Sequence, residues 1–341
     1  MATFSPDGER VAFVRDNNVF VKSLRFGTEK QVTTDGEFNK IINGAPDWVY
    51  EEEFEFNRAF EWSPDSKQLA YIKFDESKVN TYSMPMYKGL SPELKTNALY
   101  PGEYRFKYPK AGEQNSIVSV WVYDIKAGQN IQMDTYIPRI RWTYNGTNLG
   151  IIRMNRLQNR LELMFANSYT GDSRLVFTEK NKRYIETDFL DNLEFMPDEK
   201  SFVVLSEQDG YKHLYLYDFG GVKIRQLTEG EYDVIDYYGY DAATKMFYYQ
   251  AAAVSPMQRE VYGVSFDKKK KVMLAGQPGT NNVAFSNGYK YFINYFSNLN
   301  TPNRVTLHEI AGKQIVDNGT SPKRAFLVQN IGRYSAQWMD D

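Results

Sequence analysis

The stretch from residue 47 to residue 56 combines carboxylates with aromatic side chains in a pattern that could bind a cation. Three consecutive glutamates, Glu51–Glu53, are followed two positions later by Glu55, and Trp, Val, Tyr and Phe flank them. Two carboxylates about 4 Å apart repel each other by roughly 4 kcal/mol at an effective dielectric near 20. A protein can hold such a cluster on rigid apolar surroundings where a positive group is meant to bind. The competing interpretation is an acidic turn that only faces water, which is the usual state of a charge run.

A short helix is predicted at this point in the chain. It should run from Trp48 to about Phe60, with Asp47 as its N-cap and glutamates in its first turn, where the helix dipole favours negative charge. Neighbouring side chains point to opposite faces of a strand, whereas on a helical turn they can converge. We therefore expect Glu52 and Glu53 to lie on a turn of helix that projects from the surrounding β structure.

A repeated turn-and-strand unit organises the rest of the chain. In each copy a Ser-Pro-Asp-Gly-like turn precedes an alternating apolar strand, as at Phe4–Gly8 and Trp62–Ser66. Proline presets φ in such a turn, Asp or Asn bonds to nearby backbone, and glycine tolerates positive φ. Copies begin near residues 4, 62, 142, 195, 240 and 285. The shorter spacings match the length of a four-stranded propeller blade, about 40–50 residues.

The repeats predict an all-β chain, a β-propeller of four-stranded blades with about six recognisable here, and a short helical insertion that carries the glutamates. The 26 tyrosines and 22 phenylalanines agree with this, because aromatic residues favour pleated, half-buried surfaces. We expect the propeller to occupy residues 1–320 and residues 321–341 to form a tail or linker.

Composition and charge exclude several classes of function. A net charge of −2 gives no electrostatic case for a nucleic-acid partner, and the basic run Lys268–Lys271 is predicted to be a hairpin turn. The chain has no cysteine, which excludes a disulfide scaffold, a thiolate zinc site and a cysteine nucleophile. No apolar run reaches the 18 or so residues that span a membrane, and no signal peptide is expected in this chain.

Complete catalytic machinery is not recognisable. There is no G-x-S-x-G elbow, no P-loop and no G-x-G-x-x-G. The two histidines, His213 and His308, lie in alternating strand-like segments without zinc-binding spacing. We therefore predict no catalytic residue, no metal and no cofactor for this chain.

Three strings in the chain are long and specific. The first is Asp47–Phe54, which continues through Ala59–Asp65 and Leu69–Tyr71. The second is Tyr108–Gly112, with Asn115 shortly after it, and the third is Asp209–His213. Together they resemble the propeller domain of dipeptidyl peptidase IV, in the prolyl oligopeptidase family of serine peptidases. They occur in the family's order, and the resemblance extends from Phe4 to about Ile315.

The resemblance implies a fold and a role. The family's propeller has eight blades and caps a C-terminal α/β-hydrolase domain, which holds the catalytic Ser, Asp and His and releases X-Pro or X-Ala dipeptides from peptide N-termini. A double glutamate binds the substrate's α-ammonium, and its positions in this motif are Glu52 and Glu53, whereas Glu51 is expected to be structural. Tyr50 and Phe189 are further candidates for substrate contact, Phe189 as the family's aromatic subsite near the fourth repeat.

Departures from the family pattern shape the remaining expectations. The hydrolase domain and about two preceding blades are absent, including the region that supplies an arginine for the substrate carbonyl, so the isolated chain is expected to be inactive. Its expected partners are a peptide with a free N-terminus and the C-terminal hydrolase domain of a longer protein. Unpaired strand edges also favour association with another chain, for which a homodimer is one candidate. The family implies a periplasmic, secreted or outer-surface location.

Two alternatives stay open at the level of sequence. One is a non-catalytic periplasmic propeller that acts as a peptide- or protein-binding scaffold, and the other is a relative that releases tripeptides. The blade turns fit all of these, and the double glutamate favours the dipeptidyl reading over the scaffold. A G-x-S-x-G elbow within about 150 residues downstream would identify the peptidase.

Overall fold

The computed structural model describes residues 2–87, 99–135, 139–186, 192–310 and 314–320. Strands predominate in this part of the chain, and its α-helical residues belong to one short helix, α1 (Trp48–Glu53). The chain divides into two compact units, Met1–Leu190 and Asp191–Asp341. The tail expected at residues 321–341 lies outside the described residues.

The strands of the first unit form two four-stranded sheets, one five-stranded sheet and a separate two-stranded hairpin. They are β1 (Ala2–Phe4), β2 (Arg10–Arg15), β3 (Asn18–Ser23), β4 (Glu29–Gln31), β5 (Ile41–Asn43), β6 (Phe60–Trp62), β7 (Gln68–Asp75), β8 (Thr81–Met86), β9 (Gly102–Lys107), β10 (Ile117–Asp124), β11 (Gln129–Thr135), β12 (Arg139–Trp142), β13 (Asn148–Met154), β14 (Arg160–Asn167) and β15 (Ser173–Lys180). The four-stranded sheets have the orders β1-β2-β3-β4 and β12-β13-β14-β15. In the sheet between them, β11-β10-β7-β5, strand β6 also pairs with β7, while β8 and β9 pair only with each other.

The second unit contains three four-stranded antiparallel sheets whose strands follow chain order. They are built from β16 (Glu194–Phe195), β17 (Ser201–Ser206), β18 (His213–Asp218), β19 (Lys223–Gln226), β20 (Val234–Asp241), β21 (Met246–Ala251), β22 (Glu260–Ser265), β23 (Lys271–Ala275), β24 (Thr280–Phe285), β25 (Tyr291–Asn298), β26 (Thr301–Glu309) and β27 (Gln314–Thr320). Each sheet is a simple meander, which is the organisation of a propeller blade.

The predicted turns connect the first and second strands of a sheet through side-chain hydrogen bonds. The hydroxyl of Ser5 donates to Asp7 Oδ1 at 2.5 Å, and that of Ser63 donates to Asp65 Oδ1 at 2.7 Å. In the second turn Ser66 takes the left-handed conformation, with φ +61°, at the place where the first has glycine. Its hydroxyl accepts a hydrogen bond from the Asp7 amide at 3.0 Å, so the turns of the first two sheets are linked.

Tryptophan side chains link neighbouring sheets of the first unit at equivalent positions in the repeat. Trp62 donates its indole N–H to the Thr3 carbonyl, and Trp142 donates to the Glu61 carbonyl, each at 3.1 Å. Trp indole groups usually find a partner of this kind when buried. These bonds fix the strand that follows α1 relative to the sheets on either side of it.

The two histidines and the lysine run have the structural roles expected from sequence. His213 begins β18 and is fully buried, with its ring nitrogens 3.0 Å from Thr228 Oγ1 and from the Gly230 carbonyl oxygen. His308 lies in β26, where burial lowers the pKa of its imidazole. Lys268–Lys271 spans the turn between β22 and the start of β23.

Candidate functional site

The glutamates lie on α1, which we call the Glu helix, and its N-terminus is capped as predicted. Asp47 has an extended backbone, with φ −79° and ψ 178°, and its Oδ1 accepts a hydrogen bond from the Tyr50 amide at 2.9 Å. Asp is among the best N-cap residues because its carboxylate satisfies an amide that has no partner within the helix. The start of the helix is therefore fixed by local chemistry.

The Glu helix is shorter than the segment to about Phe60 that the sequence predicted. It ends at Glu53, Phe54 is its C-cap, and Glu55 has φ +54°, a left-handed conformation in which the helix cannot continue. Only Glu51 lies in the first turn, so Glu52 and Glu53 occupy the last turn, which has no basic residue. The prediction that the glutamates lie in the first turn, where the helix dipole favours negative charge, is therefore confirmed for Glu51 and wrong for Glu52 and Glu53.

Tyr50 packs the Glu helix against the hydrophobic core. Its side chain is 9% exposed, and its ring centroid lies 5.1 Å from that of Phe54, 6.1 Å from that of Phe56 and 4.9 Å from that of Phe74. Phe74 belongs to β7 and is fully buried. The tyrosine therefore supports the helix from below, and a direct contact between Tyr50 and substrate stays a prediction.

Two further contacts hold the flanks of the helix. The guanidinium of Arg139, at the start of β12, donates to the Phe54 carbonyl and lies 4.6 Å from the centroid of the Phe56 ring. On the other side, the Trp48 ring centroid is 4.3 Å from that of Tyr108. The Phe54 carbonyl, at the end of the helix, thus accepts a hydrogen bond from the Arg139 guanidinium. Such a contact stabilises a helix C-terminus.

The carboxylates of Glu51, Glu52 and Glu53 are exposed to solvent. Ten salt bridges engage other residues of the described ranges, and none of them involves these three glutamates. The structure therefore presents negative charge that no described lysine or arginine neutralises, on a helix that is held at its start, underside and end.

Two more carboxylates and a hydroxyl are buried at the start of the helix. Ser116, next to β10, donates its hydroxyl to Asp47 Oδ2. Burial raises the pKa of Asp47, and it raises that of Glu76 to about 7, with the neighbouring Asp47 charge as a further cause. Asp47, Glu76 and Ser116 are buried, whereas Glu52 and Glu53 are exposed, and the hydrogen bonds of Asp47 connect this buried group to the Glu helix.

Three further expectations concern Phe189, a metal site and a membrane-spanning helix. Phe189 lies outside the described residues. Within the described ranges, no group of three or more His, Asp or Glu side chains is arranged to hold a metal ion. The described residues also contain no helix that is long and apolar enough to cross a membrane.

The first 303 residues match a known family, described as the dipeptidyl peptidase IV (DPP IV) N-terminal region. The chain belongs to this family. That finding confirms the resemblance on which the sequence interpretation rested, and it covers the Glu helix, its cap and the strands that support it.

Individual relatives agree with the family. Dipeptidyl peptidase 4 of Trichophyton rubrum is 30% identical over 319 residues, which is 88% of this chain and 40% of the relative. The crystal structure of Porphyromonas gingivalis dipeptidyl peptidase 4 is 41% identical and has a TM-score of 0.86, over 93% of this chain and 45% of that one. A Bacteroides ovatus structure, 24% identical with a TM-score of 0.79 over 94% of this chain and 46% of that one, shares the fold.

The chain corresponds to only part of its DPP IV relatives. It spans less than half the length of the relatives that it matches. The similar solved structures, together with the four-stranded antiparallel sheets, confirm the all-β propeller class. The number of blades in the intact protein stays a prediction.

Sequence reasoning missed three residues around the DPP IV motif: Ser116, Glu76 and Arg139. Ser116 directly precedes β10 and Glu76 directly follows β7, where the sequence showed only the end of an apolar alternation. Arg139 contacts a carbonyl 85 positions earlier in the chain. No local sequence pattern indicates a contact of this range. Ser116 could have been found, because it follows Asn115, which belongs with the second string that resembles the family.

Proposed function

We propose that this chain is the substrate-binding and gating propeller of a dipeptidyl peptidase IV-like serine exopeptidase. In this proposal the enzyme releases N-terminal X-Pro or X-Ala dipeptides, and Glu52 and Glu53 bind the α-ammonium of the peptide. The observation that carries it is the pair of exposed carboxylates without a described cationic partner, on a helix that is fixed from three sides.

The chemistry of the pair suits an ammonium ion. An ammonium group offers three donors, and two carboxylates can accept two of them in charge-assisted hydrogen bonds. Glu52 and Glu53 are consecutive and exposed at the end of the Glu helix, so a cation that binds beside this end is attracted by both negative charges.

The position of the pair in the helix argues against a purely structural role. Negative charge near a helix C-terminus opposes the macrodipole. The last turn of the Glu helix contains no basic residue of its own, and the cation at its end, Arg139, is engaged by the Phe54 carbonyl and the Phe56 ring. Residues that are unfavourable for the stability of their own helix or strand are expected at functional sites. Glu52 and Glu53 are such residues, whereas Glu51 also belongs to the first turn of this six-residue helix, where negative charge is favourable.

An anchored N-terminus also accounts for dipeptide release. When the ammonium is held at a fixed place, the length of the extended chain sets which peptide bond reaches the nucleophile. Binding energy from a group remote from the reacting bond then positions that bond. The nucleophile, its base and the oxyanion hole belong, in this proposal, to a C-terminal α/β-hydrolase domain of the longer protein, which acts in the periplasm or after secretion.

The proposal is tested by kinetics of the full-length protein with free and N-acetylated X-Pro substrates. Acetylation removes the charge and one or more donors, so we expect kcat/KM to fall by a factor of about 100 or more, the value of one to two charge-assisted hydrogen bonds. The 341-residue chain alone is the control and should not cleave either substrate. Equal cleavage of free and blocked substrates would exclude the ammonium anchor.

A homodimer is the second partner that we propose, with the β8–β9 hairpin as its contact. In this hairpin Met84 pairs with Tyr104 and Tyr82 pairs with Phe106, so these side chains share one face. Tyr82, Met84 and Tyr104 are exposed. An exposed apolar patch on a two-stranded element that no larger sheet supports is typical of an interaction surface.

The dimer is testable by light scattering after size-exclusion chromatography. We expect the wild-type chain to have twice the mass of one copy, and the double variant Met84→Glu, Tyr104→Glu to have the mass of one copy, because buried charge at the contact is costly. Phe26→Glu, at another exposed aromatic position, should leave the mass unchanged. A wild-type chain that stays a single copy at about 100 µM would exclude this contact as a specific dimer interface.

A further inference from the structure

Three polar side chains are buried together at the N-terminus of the Glu helix. Asp47 is 5% exposed, and Glu76 and Ser116 are each 6% exposed. Glu76 directly follows β7 and Ser116 directly precedes β10. Because Asp75 and Ile117 pair in the antiparallel ladder, Glu76 and Ser116 are the next positions along it. The end of this central strand pair therefore lies at the helix start.

Asp47 uses both of its carboxylate oxygens at this place. Oδ1 accepts from the Tyr50 amide at 2.9 Å, and Oδ2 accepts from the Ser116 hydroxyl. The carbonyl of Asp47 accepts the first intrahelical bond, from the Glu51 amide at 3.0 Å. A buried carboxylate needs such partners, and removing it would leave both donors without one.

Glu76 is held next to this cap by its backbone. Its amide donates to the Lys40 carbonyl at 2.8 Å, and its own carbonyl accepts from the Val79 amide at 3.0 Å. The charges that act on its carboxyl are Asp47 and Asp75, which disfavour ionisation, and Lys107, which favours it. Lys107 donates to the Val79 carbonyl at 2.7 Å, so its ammonium is already engaged by backbone.

We propose that Asp47, oriented by Ser116, is the positioning residue for the Glu helix, and that Glu76 determines how firmly Asp47 holds that helix. When Glu76 is neutral, Asp47 is the single negative charge in the buried cluster and caps the helix. When Glu76 ionises, two buried carboxylates oppose each other and the cap is strained. The effect of Glu76 and Asp47 on peptide binding rests on the proposed function, whereas their effect on the stability of the Glu helix does not.

The direction of the pH effect follows from the carboxyl groups. Burial, with the charge of Asp47, raises the pKa of Glu76 to about 7, from 4.5 when the group is free in solution. A raised acid pKa contributes stability that is fully present below about pH 4.5 and is lost as pH rises through about 7. Burial raises the pKa of Asp47 as well, so in more strongly acidic solution Asp47 is itself protonated and its charge no longer caps the helix. The helix start is therefore held most firmly in mildly acidic solution.

Hydrogen exchange of the segment 48–54 measures the hold directly in this chain. After correction for intrinsic exchange, we expect protection in the wild type to fall about fivefold between pH 5.5 and pH 8.5, which corresponds to losing a cap worth ~1 kcal/mol. Glu76→Gln should retain the acidic level of protection at both pH values. Glu113→Gln, an exposed acid in the loop before β10, is the matched control and should behave as the wild type.

Two substitutions of Asp47 separate positioning from general destabilisation. Asp47→Ala removes the cap and should lower protection about fivefold at both pH values. Asp47→Asn keeps an acceptor for the Tyr50 amide and carries no charge, so protection should be near the acidic wild-type level and independent of pH. A wild-type segment whose protection does not change with pH, or a Glu76→Gln variant that keeps the wild-type pH dependence, overturns the inference.

A second readout in the full-length enzyme distinguishes this inference from the proposed function. The ratio of KM in Glu76→Gln to KM in the wild type should fall several-fold from pH 6 to pH 8.5, with kcat unchanged. Titration of the peptide α-amino group, near pH 7.7–8.0, is common to both proteins and cancels in the ratio. The expected exchange result with a constant KM ratio would support Asp47 as the helix-positioning residue and count against Glu52 and Glu53 as the ammonium site.

Discussion

Replacing either Glu52 or Glu53 with Gln in the full-length enzyme is expected to lower kcat/KM for free-amine X-Pro substrates by about 10- to 100-fold. Glutamine keeps the size of the side chain and one acceptor, but it removes the charge that makes the hydrogen bond to an ammonium strong. A hydrogen bond to a charged group is worth about 1.5–3 kcal/mol, which corresponds to this range of rates. The double variant should lose more than either single one.

The stability of these variants should barely change. Both side chains are exposed and have no ion-pair partner among the described residues, and they lie in the last turn of the helix, where negative charge is unfavourable. We expect the free energy of unfolding to stay within about 0.5 kcal/mol of the wild type. A loss of activity without a loss of stability would locate the effect in substrate binding.

Glu51→Gln is the matched control for the charge itself. It removes one negative charge from the same helix, at the position that lies in the first turn and that we expect to be structural. Its kcat/KM should stay within about threefold of the wild type, since a single exposed charge changes long-range attraction only weakly at physiological salt. Wild-type kinetics in both Glu52→Gln and Glu53→Gln would exclude the ammonium site.

Local features of the fold were predictable because the interactions that make them lie close together in sequence. The Ser63–Asp65 bond spans two residues and the bond between Asp47 and the Tyr50 amide spans three. Turn residues and N-caps act through such short contacts, and the alternation of apolar residues reports strands in the same way. The repeat, the β class and the start of the Glu helix could thus be read from sequence.

The end of the helix and the base of the site were not predictable in the same way. The helix ends at Glu53, and Glu55 then takes φ +54°, a conformation that is uncommon for a non-glycine residue and that sequence gives little warning of. Ser116 reaches Asp47 across 69 positions, and the Arg139 contact with Phe54 spans 85. Contacts of that range are fixed by sheet pairing and core packing, which a local pattern does not contain.

The second large effect is expected from Tyr50→Ala, which should lower the free energy of unfolding by about 3–5 kcal/mol, the usual cost of removing a buried aromatic ring. Tyr50 fills the space between the Glu helix and Phe74, so the cavity would lie directly beneath the helix. Urea unfolding followed by tryptophan fluorescence measures the change. Phe26→Ala, which removes an exposed aromatic ring, is the control and should cost less than about 0.5 kcal/mol.

Tyr50→Phe tests the remaining question about this residue and stays informative if Tyr50→Ala fails to fold. It keeps the ring that packs on Phe54, Phe56 and Phe74 and removes only the hydroxyl. If Tyr50 acts only as support for the helix, KM for X-Pro substrates in the full-length enzyme should be unchanged. A several-fold rise in KM with unchanged stability would instead show that the hydroxyl contacts the substrate. A Tyr50→Ala variant that loses less than about 1 kcal/mol would contradict the packing role, because a ring buried among three others cannot be removed so cheaply.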